Sequence, residues 1–259
     1  MAAFADAPFG AVALRNLTSA GFSAPTPTQA ISWPLALGRR DLISVAKTGS
    51  GKTLGFLLPA FHLLGAHAVA PAPAPRPKVV VLAPTRELAT QIYDEGAKFA
   101  PAYGCRVCCC YGGAPKYQQV KALRALHSRG VVVATPGRLN DLIEARKVDL
   151  SELEILVLDE ADRMLDMGFE PQIRRIVCQE DMPQTGARQT FMFSATFPRE
   201  MQILAGDFLD NYIFLTVGRV GSACKDVTQR FQFVDGRDKP DALMRYISSL
   251  EESGLTLIF

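Results

Sequence analysis

Two short stretches of the chain carry side chains that could act together on a phosphorylated ligand. The first, Ala46-Lys47-Thr48-Gly49-Ser50-Gly51-Lys52-Thr53, follows the apolar run Leu42-Ile43-Ser44-Val45. Gly49, Ser50 and Gly51 permit backbone conformations that aim successive N–H groups inward, and a helix opening near Lys52 adds its positive end. In a cradle running from Ala46 through Thr48 to Thr53, Lys52 can neutralise the outer phosphates of a triphosphate. Thr53 can ligate Mg²⁺ through its hydroxyl. The general motif opens with Gly, where this chain has Ala46.

The second stretch, Asp159-Glu160-Ala161-Asp162, ends the apolar run Ile155-Leu156-Val157-Leu158. A carboxylate at the end of a hydrophobic strand needs a counter-charge, and for Asp159 a Mg²⁺ ion reached through water is the natural one. Glu160 points elsewhere and can orient or deprotonate an attacking water. The bland alternatives are a Gly/Ser turn before one helix and a carboxylate-rich turn capping another. Gly-x-Gly-Lys-Thr and Asp-Glu-Ala-Asp each arise by chance in roughly one window in 10⁵. Both occur here, each after an apolar run, which favours ATP hydrolysis over the bland readings.

The elements that must position these groups are legible as alternating patterns. Short apolar, β-rich runs cover Leu42–Val45, Val79–Ala83, Cys105–Cys110, Val131–Ala134, Ile155–Leu158, Thr190–Ser194 and Tyr212–Val217, with helical stretches between them. Continuous rather than alternating hydrophobicity means burial on both faces, and helical crossovers imply a parallel sheet. The fold class is therefore α/β, with ligands at the carboxyl ends of the strands.

The 259 residues suit one large domain, or one domain and part of another, and 48% hydrophobic residues suffice for a substantial core. A net charge of +2 neither demands nor excludes nucleic acid, so any such site must come from a local patch. Leu54 to Ala70 is apolar enough to suggest a membrane span. It is slightly short and holds Pro59, His62 and His67, so a buried helix behind the phosphate loop is the better reading. No basic leader or cleavage signal suggests secretion; the expectation is a cytoplasmic or nuclear protein. Six cysteines, four of them within Cys105–Cys110, are poorly spaced for disulfides or zinc and read as buried thiols.

Pro71 to Pro77 reads as an exposed, extended loop without chemistry. Residues 1–217 form the expected main domain and 218–226 a linker. Residues 227–259 would hold a strand (Thr228–Val234), a helix (about Lys239–Glu252) and a strand reaching Phe259. Such a β-α-β start cannot enclose a core alone, so the chain is expected to be a piece of a longer two-domain protein.

With these residues in view, the chain resembles the DEAD-box RNA helicases of superfamily two, particularly their Vasa-like branch, from about Phe4 to Phe259. The motifs run in the family's order: Pro25-Thr26-Pro27-Thr28-Gln29, Ala46–Thr53, Pro84-Thr85-Arg86-Glu87-Leu88-Ala89, Gly112-Gly113, Thr135-Pro136-Gly137-Arg138, Asp159–Asp162 and Ser194-Ala195-Thr196. The resemblance implies a RecA-like first domain, a sheet sandwiched by helices, with the truncated start of a second RecA-like domain. It also implies ATP as fuel and RNA as the activating polymer.

The segment before the phosphate loop looks like the family's adenine-reading motif. The Gln29 amide both donates and accepts, matching the N6 and N7 edge of adenine, and Phe22 can stack on the base. Phe4 matches an isolated upstream aromatic; core packing is the alternative for both rings. Thr28 stands where the family usually has Val or Ile. By analogy Asp162, Ser194 and Thr196 couple nucleotide state to domain closure.

The turns at Pro84-Thr85-Arg86, Gly112-Gly113 and Thr135-Pro136-Gly137-Arg138 each follow a strand and offer N–H groups, hydroxyls or guanidinium. These suit phosphates and sugars rather than base edges, so binding to single-stranded RNA or a short duplex should be sequence-independent and salt-sensitive. Arg174 and Arg175, like Lys116 and Lys121, read as solvated faces. The competing functions are another P-loop ATPase such as a DNA helicase, an ATP-dependent RNA clamp, and an inert scaffold. The last is disfavoured by the presence of Lys52, Thr53, Asp159 and Glu160.

Overall fold

The computed structural model describes residues 3–64, 74–126, 130–178, 181–218, 228, 230–250 and 254–258. The chain divides into two compact units, Met1–Gly221 and Ser222–Phe259.

In the first unit, seven strands form one parallel sheet: β1 (Leu42–Ala46), β2 (Val79–Leu82), β3 (Arg106–Cys110), β4 (Gly130–Ala134), β5 (Ile155–Leu158), β6 (Gln189–Ser194) and β7 (Ile213–Val217). The spatial order is β3-β4-β2-β5-β6-β1-β7, and every pairing is parallel. All seven apolar runs read from the sequence are strands, within a residue or so at each end. The helices are α1 (Ala11–Ser19), α2 (Pro27–Leu37), α3 (Lys52–Leu64), α4 (Arg86–Phe99), α5 (Lys116–Arg124), α6 (Pro136–Glu144), α7 (Ala161–Asp166), α8 (Glu170–Val177) and α9 (Arg199–Phe208).

Continuous hydrophobicity does what was expected of it. Val79 and Val81 of β2 join one core with Trp33, Phe56, Phe61 and Ile92, from α2, α3 and α4. Val80 and Leu82 join the other, with Leu139, Met164, Ile173 and Leu204, from α6, α7, α8 and α9. Side chains two apart on a strand share a face, so each strand serves both cores. Truncating a fully buried ring such as Phe193 to Ala would cost about 3–5 kcal/mol. Phe4 is partly buried against the first core, its ring 6.3 Å from that of Trp33.

The amino end of the sheet is closed by polar groups. The buried Asp41 carboxylate accepts from Thr190 N and Asp210 N, each at 2.7 Å, joining the starts of β1 and β6 to the approach to β7. Gln189 donates to Ala36 O and Arg40 O, each at 2.8 Å.

Other expectations fare variously. Cys105 packs into one core and Cys108 into the other, so the Cys-x-x-Cys spacing does not bring the two thiols together. No disulfide joins Cys105, Cys108, Cys109, Cys110 or Cys178; Cys224 lies outside the described residues. Burial pushes the Cys109 thiol up to about 12. Of the apolar stretch at residues 54–70, residues 54–64 lie in the buried α3 and the rest lie outside the described residues; among the described residues no helix is long and apolar enough to cross a membrane.

The Pro/Ala insert is not wholly free. Pro71 to Pro73 lie outside the described residues, but Arg76 pairs with Asp149 at 2.7 Å and Glu152 at 2.9 Å. Most of the expected linker, from residue 219 on, is likewise outside them. In the second unit the helix is present as α10 (Lys239–Ser248). The described residues of Thr228–Val234 and 254–258 are not in strands. Phe231 and Phe233 are almost wholly exposed. A strand exists only as part of a ladder, and among the described residues those have no neighbour paired with them.

Candidate functional site

The sheet order places β6 between β1 and β5, with Val45 beside Ser194 and Leu158 beside Met192. The phosphate-loop motif, the acidic motif and Ser194-Ala195-Thr196 therefore leave the same rim from three adjacent strands. The turns after β2, β4 and β3 occupy the other half of that rim. The sequence-read residues thus fall into two neighbouring sets.

The loop after β1 takes the shape its glycines allow, with φ of 75° at Gly49 and 81° at Gly51. A Cβ at Gly51 would lie 2.6 Å from Gln29 Nε2 and 2.8 Å from Thr26 Oγ1. These two side chains hold the loop. Thr26 Oγ1 donates to Ser50 O at 2.8 Å, and Gln29 Nε2 donates to Gly51 O at 3.1 Å. The same pair caps α2: Gln29 N donates to Thr26 Oγ1, and Thr26 N donates to Gln29 Oε1. Gln29 is thus buried with its amide engaged at both ends, and Phe22 stands partly exposed in the turn between α1 and α2. The role of Thr26 was missed, although Thr-x-x-Gln is a capping signature.

Lys52 opens α3, is buried, and donates from Nζ to Ala46 O at 3.1 Å. Thr53 follows it in the first turn, and Ser50 Oγ is buried without a partner. Left-handed glycines, a helix N-terminus, a buried lysine and an orphaned hydroxyl fit a polyphosphate.

Asp159 is 3% exposed. Its carboxylate accepts from Glu160 N at 3.0 Å. Burial pushes its pKa up to about 6, against the pull of the Lys52 charge and with a smaller push from Glu160. Lys52 and Asp159 are thus electrostatic neighbours. Among the described residues no cluster of three or more His, Cys, Asp or Glu could cage a metal. Oxygen donors such as Thr53 and Asp159 fit Mg²⁺, which is commonly held by one or two protein oxygens together with phosphates.

Glu160 has the left-handed φ of 50°, unusual for a residue with a side chain, and pairs with Arg163 Nη1 at 3.2 Å. Asp162 is fixed differently. Its Oδ2 accepts from Ala195 N, Thr196 N and Thr196 Oγ1 at 3.2, 2.9 and 2.8 Å. Its own N–H donates to Ser194 Oγ at 3.3 Å. Burial works against its charge, but the bonds from Thr196 and Ser194 outweigh it and hold the pKa below the usual carboxylate value. The acidic motif and Ser194-Ala195-Thr196 are thus joined directly by hydrogen bonds.

On the other half of the rim, Pro84 precedes Thr85, whose side chain caps α4. Arg86 is exposed, pairs with Glu87 at 2.7 Å, and reaches to within 3.8 Å of the Cβ position of Gly113. Gly112 is exposed, as is Gly113, whose φ is 78°. Thr135 stands at the N-cap position of α6 without a side-chain capping bond, Pro136 occupies the first turn, and Gly137 is exposed.

Arg138, expected to reach a phosphate, is placed otherwise. It is buried, donating to Gln119 Oε1 at 2.7 Å and Ala114 O at 3.1 Å. Gln119 in turn donates to Tyr111 O at 3.0 Å. One turn of α6 directs Arg138 inward, where it braces the glycine turn. Gln119 lies in no motif, and nothing in the sequence marked it.

Residues 26–204, more than half the chain, match the DEAD/DEAH box helicase family. The fold is similar to a solved structure described as a hypothetical ATP-dependent RNA helicase from Sulfolobus tokodaii, with 34% identity and a TM-score of 0.70. The match covers 81% of this chain and 57% of that one, so the chain spans little more than half the length of that protein. The parallel sheet between two helical layers is RecA-like, and its rim carries the nucleotide and acidic motifs side by side. The chain belongs to the DEAD/DEAH box helicase family.

Proposed function

We propose that this chain is the nucleotide-binding part of an ATP-dependent RNA helicase of the Vasa-like branch. In this reading residues 227–259 begin a second RecA-like domain that completes the site. The observation that carries it is the convergence of Lys52 and Asp159 on one rim, one strand apart, with the Asp162 to Ser194-Ala195-Thr196 bonds between them.

Lys52 and the loop N–H groups bind and orient the triphosphate. Thr53 and Asp159 would hold Mg²⁺, which would supply charge neutralisation at the phosphates. Glu160 orients the attacking water and takes its proton. Gln29 and Phe22 face the base, which predicts ATP over GTP; Gln29 can do so with the amide hydrogen and lone pair its present bonds leave free. Pro84, Thr85, Arg86, Gly112, Gly113, Thr135, Pro136 and Gly137 contact RNA sugars and phosphates, with Arg138 positioning them from behind. Each ligand favours closure of the two domains and so strengthens the other. Closure bends one RNA strand and separates a short duplex.

The test is ATP turnover by the full-length protein, with and without RNA, compared with Glu160→Gln. RNA should stimulate the wild type and leave the variant at least about 10²-fold slower. Equal turnover would remove Glu160 from its role. The 259-residue chain alone should turn over ATP barely at all, because a second-domain arginine of the family's kind contributes about 10³–10⁵ in rate. An RNA clamp with little unwinding is the alternative, separated by comparing RNA release with hydrolysable and non-hydrolysable nucleotide.

A further inference from the structure

Helix α5 follows directly on the glycine turn and contains no acidic residue. Tyr117, Lys121 and Arg124 are spaced i, i+4, i+7, so they form one stripe along its solvent side. Tyr117 is 79% exposed, an unusual position for an aromatic ring; Lys121 and Arg124 are exposed too. At 1.5 Å per residue the stripe is ~10 Å long.

Several other cationic side chains on this unit are neutralised. Arg174 pairs with Glu170 and Asp207, Arg175 with Glu144, Arg163 with Glu160, and Arg76 with Asp149 and Glu152. Among the described residues neither Lys121 nor Arg124 has a carboxylate partner. Two acids on neighbouring helices are otherwise placed: Asp141 of α6 faces Arg138 at 3.7 Å, and Asp94 of α4 lines a groove along the edge strand β3 with Gln118 and Ala122.

The stripe is also locked to the rim. Arg138 of α6 donates to Gln119 of α5 and to Ala114 O beside the glycine turn. Gln119 donates to Tyr111 O, and Lys116 Nζ donates to Asp141 O at 3.0 Å. The turn at Gly112-Gly113, the start of α6 at Thr135-Pro136-Gly137 and the stripe are therefore one rigid piece.

We propose that the Tyr117–Lys121–Arg124 face of α5 extends the nucleic-acid track beyond the strand-end turns. A base of single-stranded RNA stacks on Tyr117 and the following phosphates meet Lys121 and Arg124. The length suits roughly three stacked nucleotides at ~3.4 Å each. The ligand assignment follows from its chemistry: unpaired cations beside an exposed ring bind a polyanion with π-faces, without reading its sequence. This rests on the proposed RNA reading of the strand-end turns, and the test separates the two.

The test is equilibrium binding of fluorescent oligo(U) to this chain across a salt series, using one oligomer of about 5 nucleotides and one of about 12. The longer oligomer should bind more tightly to the wild type. Tyr117→Ala should weaken it roughly 5- to 10-fold. Lys121→Gln with Arg124→Gln should lower its log–log salt slope by about 1.4, for two lost phosphate contacts. None of these should alter binding of the short oligomer or the melting temperature, because the side chains are exposed. Ultraviolet crosslinking should place the longer oligomer on the α5 peptide.

If both lengths bind the wild type equally, or if the variants bind the long oligomer with unchanged affinity and slope, the extension is wrong and the strand-end reading survives. In that case the stripe serves another ligand, such as an acidic protein segment. If the wild type binds neither oligomer, both readings fall.

Discussion

Two buried aspartates at opposite ends of the same sheet show how one fold separates structure from function. Asp41 stands just before β1 at the amino end, and Asp159 ends β5 at the carboxyl end. They are 6% and 3% exposed, and burial raises the pKa of each. Their surroundings differ. Both Asp41 oxygens accept backbone N–H groups, and the buried Arg188 supplies an opposite charge. Asp159 accepts one N–H, and its main counterweight is a lysine that is not in direct contact. The first end is satisfied from within. The second leaves carboxylate capacity over, which stabilises nothing in the free protein and is available to a bound cation. Burial alone does not set the proposed magnesium ligand apart from a structural carboxylate; the shortage of partners does.

Substituting each aspartate tests this directly, and here the largest effects are expected. Asp41→Ala leaves two backbone N–H donors without their acceptor and removes the counter-charge near Arg188, and should cost about 3–5 kcal/mol of unfolding free energy. Asp159→Asn removes an under-compensated charge and should stabilise the nucleotide-free, magnesium-free chain by about 1–2 kcal/mol, while abolishing ATP turnover in the full-length protein. Urea titration of both variants is the measurement. Loss of stability in Asp159→Asn similar to that in Asp41→Ala would break the comparison.

The pH dependence sharpens it. The Asp159 pKa is raised from 3.8 to about 6 on folding, so the folded state binds this proton more tightly than the unfolded state does. Its contribution to stability therefore falls as pH rises from about 4 through about 6. The advantage of Asp159→Asn should be absent below about pH 4, grow across that window, and level off above it. An advantage independent of pH would place its cause in packing rather than charge.

Asp162 is the opposite case within the same motif, and its effects should be smaller. Its pKa is lowered on folding, so it contributes stability above the unfolded value of 3.8 that is lost as pH falls through the folded one. Ser194→Ala with Thr196→Val removes two side-chain bonds and should cost about 1–2 kcal/mol near pH 7, less under acid conditions. In the full-length protein the pair should reduce duplex separation more than ATP turnover. Equal losses of both would assign these residues to hydrolysis rather than coupling.

What could be read in advance divides along similar physical lines. The seven strands were legible because a parallel sheet buried on both faces requires unbroken apolar runs. The placement of Lys52 and Asp159 on one rim was legible because it follows from strand-end position in a parallel sheet. Direction was not: Thr135-Pro136-Gly137-Arg138 does not say whether its guanidinium faces solvent or, as here, Gln119 and Ala114 O. Partnership was not legible either. Gln29 was recognisable, but its bond to Gly51 O joins segments 22 residues apart. Thr228–Val234 has strand composition, but among the described residues none pairs with it.

Thr28 offers the smallest test and a third kind of buried polar group. It lies in the first turn of α2, fully buried, and its hydroxyl has no partner. Unlike the oxygens of Asp41 it is not satisfied from within, and unlike Asp159 it bears no charge to offer a cation. Such a hydroxyl loses its hydration on folding without recovering it, at about 1–3 kcal/mol. Valine has nearly the same shape, and α2 is held at this end by Thr26 and Gln29 rather than by Thr28. Thr28→Val should therefore stabilise the chain by about 0.5–1 kcal/mol, raising the melting temperature by roughly 1–4 °C with no change in nucleotide affinity. A lower melting temperature would mean that the hydroxyl has a partner, such as a bound water. Thr28 would then belong with Asp41 among the groups satisfied inside the fold.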